Sequence, residues 1–97
     1  MKLKYKKIVV TGGNGRFAKI LKDTNPGKNY YFPTKKKLNI LKIRSIEKYL
    51  KKIKPKILIH CAGLSRPMNI HDKFINKSID LNIIGTCNIV KICKKLK

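Results

Sequence analysis

Ile8-Val9-Val10-Thr11-Gly12-Gly13-Asn14-Gly15-Arg16-Phe17-Ala18 is the stretch on which the reading of this chain turns. It opens with a β-branched run, the composition of a buried strand. A glycine-rich segment follows at once. From residue 16 to residue 23 the apolar residues Phe17, Ile20 and Leu21 fall at helical spacing. The order is strand, glycine turn, helix. Gly12 is placed to make the tight turn off the strand. Gly15 leaves the backbone open to a ligand, and Ala18 lets the helix pack closely on a sheet. The start of the helix offers free N–H groups and a partial positive charge, which together favour a phosphate. No Gly-Lys-Ser/Thr follows, so this is not a Walker-type loop. The bland alternative is a plain strand-to-helix turn.

Beyond this segment, Thr24-Asn25-Pro26-Gly27 breaks the helix with turn residues. Tyr30-Tyr31-Phe32 predicts a short second strand, ended by Pro33, and residues 35–43 a connection. Ser45 is a candidate cap for a helix reaching residue 53, with Ile46, Tyr49, Leu50 and Ile53 on one face. Pro55 ends it. Residues 57–61 read as a third strand, apolar enough to be covered on both faces, and residues 62–71 as a loop. The last helix is expected from residue 72 to 95, its apolar face formed by Ile75, Ile79, Ile83, Val90 and Leu96. The alternation predicts an α/β fold, with three parallel strands joined by three helices through right-handed crossovers.

The 97 residues bound the chain to one domain with a modest core. Lysine plus arginine number 25 against 4 acidic residues, a net charge of +21. Such a field attracts polyanions, so a small basic nucleic-acid-binding module is a rival reading. The cations are scattered along the chain and not gathered on one element, which weighs against it. Cys61, Cys87 and Cys93 form no Cys-x-x-Cys pair. Free thiols in a reducing, cytoplasmic setting are expected, and no metal site. His60 is expected to end a buried strand, with no set of partner ligands for a metal, and His71 to lie in the loop before the last helix. No apolar stretch approaches the length of a membrane span, and the basic N-terminus lacks the apolar run of a signal peptide.

Four segments together resemble the extended short-chain dehydrogenases/reductases. Thr11 to Ala18 resembles the family's TGxxGxxG motif, with Ala18 in place of the last glycine. Leu38-Asn39-Ile40 resembles its Leu-Asp-Ile/Val segment, whose acidic residue contacts the adenine. His60-Cys61-Ala62-Gly63 is similar to the loop beside the cofactor. The stretch from Asp80 to Asn88 is similar to its N-x-x-G-T-x-N helix. The nearest subgroup is the dTDP-4-dehydrorhamnose reductase-like proteins and related nucleotide-sugar epimerases and dehydratases.

The resemblance implies the N-terminal part of an NAD(P)-binding Rossmann-type domain spanning residues 1–97. The cofactor-binding positions it implies are Gly12, Asn14, Gly15, Arg16, Phe17, Lys35, Asn39, Cys61, Ala62, Gly63 and Asn82. At Asn39 a neutral amide replaces the usual carboxylate, and a plain turn residue is the alternative. No acidic residue follows the second strand to hold the ribose hydroxyls. Lys35 and Arg16 are placed to pair with a 2′-phosphate, which favours NADP over NAD. The family's catalytic Ser/Thr and Tyr-x-x-x-Lys pair fall beyond the next strand, so no catalytic residue is assigned and the chain is expected to be truncated and inactive alone. A nucleotide-sugar substrate is expected only in a completed enzyme, and an exposed parallel edge is expected to favour association. A non-catalytic dinucleotide sensor fits the same residues.

Overall fold

The computed structural model describes residues 6–13, 15–24, 26–62 and 75–96. Its elements follow in the order β1 (Ile8–Thr11), α1 (Arg16–Asp23), β2 (Tyr30–Tyr31), α2 (Ile43–Ile53), β3 (Ile57–His60), and a last helical rod. The rod comprises α3 (Ile75–Ile79), a π-helical turn (Asp80–Ile84) and α4 (Gly85–Leu96).

The three strands form one parallel sheet in the order β2-β1-β3. Ile8 and Val9 stand opposite Tyr30 and Tyr31, while residues 8–11 run beside residues 57–60 from Ile8↔Ile57 to Thr11↔His60. From β1 the chain moves to one flank for β2, then crosses to the other flank for β3. The direction of winding therefore reverses at β1. In open α/β sheets that reversal leaves a crevice at the carboxyl ends of the strands.

Alternation along the strands divides the core in two. Val9 faces α2 and α4, where it packs with Leu38, Ile40, Ile46, Leu50, Ile89 and Ile92. Ile8 and Val10 face α1 and pack on Ala18. The central strand is buried at every residue, as its β-branched run predicts. Pro33 follows β2 closely and has no N–H to continue the ladder. Lys54 closes α2 in the left-handed region at φ 55°, its N–H donating to the Leu50 carbonyl, and Pro55 prevents continuation.

Three local expectations are corrected. The second helix starts at Ile43, with Lys42 at the cap position. Ser45 lies inside it, and its Oγ accepts from the Asn39 N–H at 2.9 Å. In α1 the residue that packs on the sheet is Ala18, as expected, with Phe17 and Ile20 exposed. β3 is half-covered, not enclosed, because among the described residues it pairs with β1 alone.

The last helix buries a different face from the one expected. Ile75, Ile79, Ile83 and Val90 are exposed, and the seam is Gly85, Asn88, Ile89 and Ile92, with Leu96 half-buried beside it. A π-helical turn takes more residues per turn than an α-helix, so apolar spacing counted through it drifts off the buried face. The seam also depends on fit. A Cβ on Gly85 would lie 2.5 Å from Ile40 Cδ1, so any larger residue would force the Ile40 side chain to shift. Asn88 Nδ2 donates to the Ile40 carbonyl at 2.9 Å, a buried bond.

Candidate functional site

A cleft of about 330 Å³ opens at the carboxyl ends of β1 and β3, where the winding reverses. Its walls are the glycine turn (Gly12, Gly13, Gly15), the segment after β2 (Pro33, Thr34, Lys35), Leu38 to Ile40, Cys61 and Ala62 after β3, and Lys77 and Leu81 from the last rod. Five separate parts of the chain converge there.

The glycine turn owes its shape to close approach. Gly12 has φ +74°, and a Cβ there would lie 2.7 Å from the Ala62 backbone nitrogen. Neither the conformation nor the space admits a side chain. The Gly15 N–H donates to the Gly12 carbonyl at 2.8 Å, which closes the turn. Gly15 is exposed and stands at the cap position of α1 in extended backbone, without a side-chain cap bond. The Lys19 N–H is bonded to the Gly15 carbonyl, so the amides of residues 16–18 lack acceptors within the helix. From the far end of α1, Lys22 Nζ reaches back to the Gly13 carbonyl at 2.9 Å while lying 5.0 Å from the centre of the Phe32 ring. Sequence reasoning missed Lys22, whose role depends on tertiary contact.

Behind the cleft runs a chain of hydrogen bonds. Thr11 Oγ1 accepts from the Cys61 N–H at 2.9 Å and the Ala62 N–H at 3.0 Å, and contacts His60 Nδ1 at 2.7 Å. His60 Nε2 lies 3.0 Å from Thr86 Oγ1, which donates to the Asn82 carbonyl at 2.9 Å. Burial holds the His60 imidazole below its usual pKa. Burial pushes the Cys61 thiol up, so it lines the cleft in its neutral form.

Of the positions singled out in sequence, the cleft gathers Gly12, Gly15, Lys35, Asn39, Cys61 and Ala62. Arg16 and Phe17 are exposed on the first turn of α1 and do not line it. Asn82 is exposed as well; its Nδ2 donates to Ser78 Oγ at 3.3 Å. Asn14 and Gly63 lie outside the described residues. Asn39 Oδ1 accepts from the Leu41 N–H at 3.0 Å, so the amide makes the turn contact that the sequence allowed while still lining the cleft. Thr34, Lys77 and Leu81 were not singled out. Lys77 and Leu81 arrive from a helix remote in sequence, which no local pattern reports.

Tyr31 and Lys35 do stand at Tyr-x-x-x-Lys spacing, a match that the sequence reading passed over. Tyr31 sits half-buried on β2 against the α2–α4 core, and Lys35 lies in a turn beyond Pro33. Spacing of four aligns two side chains on a helix. Here strand and turn separate them.

A wider groove of about 1040 Å³ lies beside β3, lined by Ile57, Leu58, Val90 and the lysines 54, 56 and 94 among others. It contains none of the glycine-turn residues. The smaller cleft is the better candidate, because the cap position of α1, cations and Cβ-free backbone meet there. No cluster of three or more metal-ligating side chains occurs among the described residues, and none of their helices is long and apolar enough to cross a membrane.

The chain matches the family described as RmlD substrate binding domain over residues 6–97. It is 38% identical over 60 residues to the GDP-L-colitose synthase of Yersinia pseudotuberculosis, covering 60% of this chain and 20% of that protein. Among solved structures it resembles dTDP-4-dehydrorhamnose reductase from Bacillus anthracis str. Ames in complex with NADP. That match has a TM-score of 0.84 at 26% identity, over 94% of this chain and 33% of the reductase. The GDP-mannoheptose C4 reductase from Campylobacter jejuni, with NADP bound, shares the fold at TM-score 0.81 and 17% identity, over 99% of this chain and 31% of its own. The chain thus spans about a third of these solved structures and a fifth of the curated relative.

Proposed function

The chain belongs to the RmlD substrate binding domain family, and on that footing we propose that it is the dinucleotide-binding portion of a nucleotide-sugar reductase-like enzyme. The observation that carries this reading is the convergence at the cleft. Backbone without Cβ atoms and two lysines meet at the reversal of the sheet, with Gly15 bringing the cap position of α1 to the cleft and no carboxylate among the described lining residues. These are the groups that a pyrophosphate needs.

In this reading Gly12, Gly13 and Gly15, with the first amides of α1, hold the pyrophosphate. Leu38, Asn39 and Ile40 wall the adenine side, and Cys61 and Ala62 support the opposite wall. When bound, the dinucleotide supplies hydride-transfer chemistry. This chain's residues bind and orient it. Lys35, after β2, and Lys77 line the cleft, and in this reading Lys35 takes the place of the acidic residue that selects NAD. We therefore favour NADP over NAD, and the reductase whose solved structure holds NADP supports that choice. We assign the sugar-nucleotide substrate, and the groups that act on it, to a completed enzyme and to no residue of this chain. The expectation that the chain does not turn over alone belongs to the same proposal.

The test is titration with NADPH and NADH at near-physiological salt, with a short DNA duplex as competitor. Saturable binding tighter for NADPH, and indifferent to DNA, is expected. Salt-sensitive binding to DNA alone would make the charge the function and end this reading.

A further inference from the structure

Thr11, His60 and Thr86 are linked so that the direction of every hydrogen bond is determined. Thr11 Oγ1 already accepts two backbone N–H groups, from Cys61 and Ala62. A hydroxyl has two acceptor lone pairs and one proton, so Thr11 can only donate to His60 Nδ1. Nδ1 is then the acceptor, and the ring proton sits on Nε2. That proton goes to Thr86 Oγ1, whose own proton goes to the Asn82 carbonyl in the π-helical turn. The relay runs one way, from β1 through β3 into the last helical rod.

The relay touches two walls of the cleft. At one end it fixes Cys61 and Ala62, whose backbone lies so close to Gly12 that no Cβ fits between them. At the other it grips the turn that carries Leu81, one turn after Lys77. We propose that His60 is a positioning residue, a neutral strut tautomerised at Nε2 that holds the π-helical turn in register with the glycine turn. A second proton, on Nδ1, would face an oxygen with no free lone pair and break the strut. The cleft then loosens as pH falls.

The surroundings offer little to an imidazolium. On its open side His60 shares a groove with Lys51 of α2, with Lys54 and Lys56, and with Cys93 and Lys94 of α4. Cys61 follows it on the chain, and β1 presents only the Thr11 hydroxyl. No carboxylate occurs among the described residues of that groove, and burial holds the Cys93 thiol in its neutral form. The sign follows. With the folded pKa below the unfolded value, the strut is fully present above about pH 6.5. It is lost as pH falls through the lower folded pKa.

The inference rests on the cofactor reading only for its effect on affinity, and two separate readouts keep the two apart. The first is nitrogen NMR of the imidazole in the wild-type chain, His60 being assigned by its loss in His60→Gln. A neutral ring protonated at Nε2 at pH 7.5 is expected. Amide shifts at Leu81 and Gly12 should titrate together with it. The opposite tautomer, or amides that ignore its titration, would overturn the strut whether or not a dinucleotide binds. The second is affinity for NAD⁺ and NADP⁺ between pH 7.5 and 5.5. A phosphate monoester titrates near pH 6, so only a loss shared by both ligands belongs to the protein. A shared loss of about three- to tenfold is expected, the size of a modest positioning effect. Thr86→Val should weaken binding at pH 7.5 and flatten the profile, and Thr86→Ser should restore both. A Thr86→Val chain with wild-type affinity and pH profile would overturn the proposal. Absence of any dinucleotide binding, with the NMR titration as expected, would sink the cofactor reading and leave the strut standing.

Discussion

Gly15→Asp separates the phosphate-binding reading from stability. The backbone at residue 15 is extended, with φ −81° and ψ 173°, and the site is exposed. A Cβ there would lie 3.1 Å from the Gly12 carbonyl oxygen, which must give by a few tenths of an ångström. Aspartate at a helix cap accepts from the first amides and differs from glycine by only a few tenths of a kcal/mol. Melting should therefore shift by no more than about 4 °C. Binding should change far more. A carboxylate about 5 Å from one phosphate charge repels it by roughly 3 kcal/mol at an effective dielectric of 20. Exposure and salt reduce that by about half or more. Two phosphates contribute, and the new side chain also occupies the amides that they need. An affinity loss of about 30- to 1000-fold follows, from about 2–4 kcal/mol. Calorimetric titration with NADPH at near-physiological salt measures it, beside thermal melting by circular dichroism. If the wild-type chain binds NADPH, and the variant melts normally and binds within threefold of it, the glycine turn does not hold the phosphates.

Three further outcomes test the scaffold. Gly12→Ala imposes a left-handed conformation and a Cβ 2.7 Å from backbone, and should cost more than about 2 kcal/mol, read as lost melting temperature even without ligand. Asn88→Ala strips the buried Ile40 carbonyl of its donor; about 1–3 kcal/mol of stability should go, and amide exchange should rise around Ile40 in hydrogen-exchange experiments. Hydrogen bonds from Lys95, then from Lys51, hold the Glu47 carboxyl below its usual range, so its contribution is present above about pH 4.5 and lost as pH falls through the folded value; Glu47→Gln should flatten that part of the melting profile.

The fold was largely readable because its strongest signals are local. β-Branched residues at 8–10, glycines at the turn, and prolines at 33 and 55 each act through their own backbone, so β1, α1 and the ends of β2 and α2 stand close to where the pattern puts them. What failed depended on partners. The seam of α4 uses Gly85 and Asn88 because one admits Ile40 and the other bonds it, and hydropathy credits neither. The π-helical turn at 80–84 has no period of its own to detect. Ser45 looked like a cap, but its hydroxyl was better used on the Asn39 amide. In the cleft, Gly12, Gly15 and Lys35 were found from the chain's own pattern, whereas Asn39, Cys61 and Ala62 came only from the family resemblance. Lys77 and Leu81 were missed because only the folded rod brings them there.

The net charge of +21 gives the rival reading its force, and salt is what separates the two. A uniformly basic surface attracts any polyanion, and that attraction falls steeply as salt rises. The cleft draws on different physics. Its glycines work by leaving space, its helix amides are fixed dipoles, and neither depends on the scattered lysines. Salt weakens the contributions of Lys35 and Lys77, while the shape and the amide contacts persist. A dinucleotide held here therefore keeps much of its affinity at a salt concentration that strips nucleic acid from the surface. On the proposed reading, the excess of lysine is a property of the whole chain, and the phosphate contacts lie chiefly in a few backbone atoms.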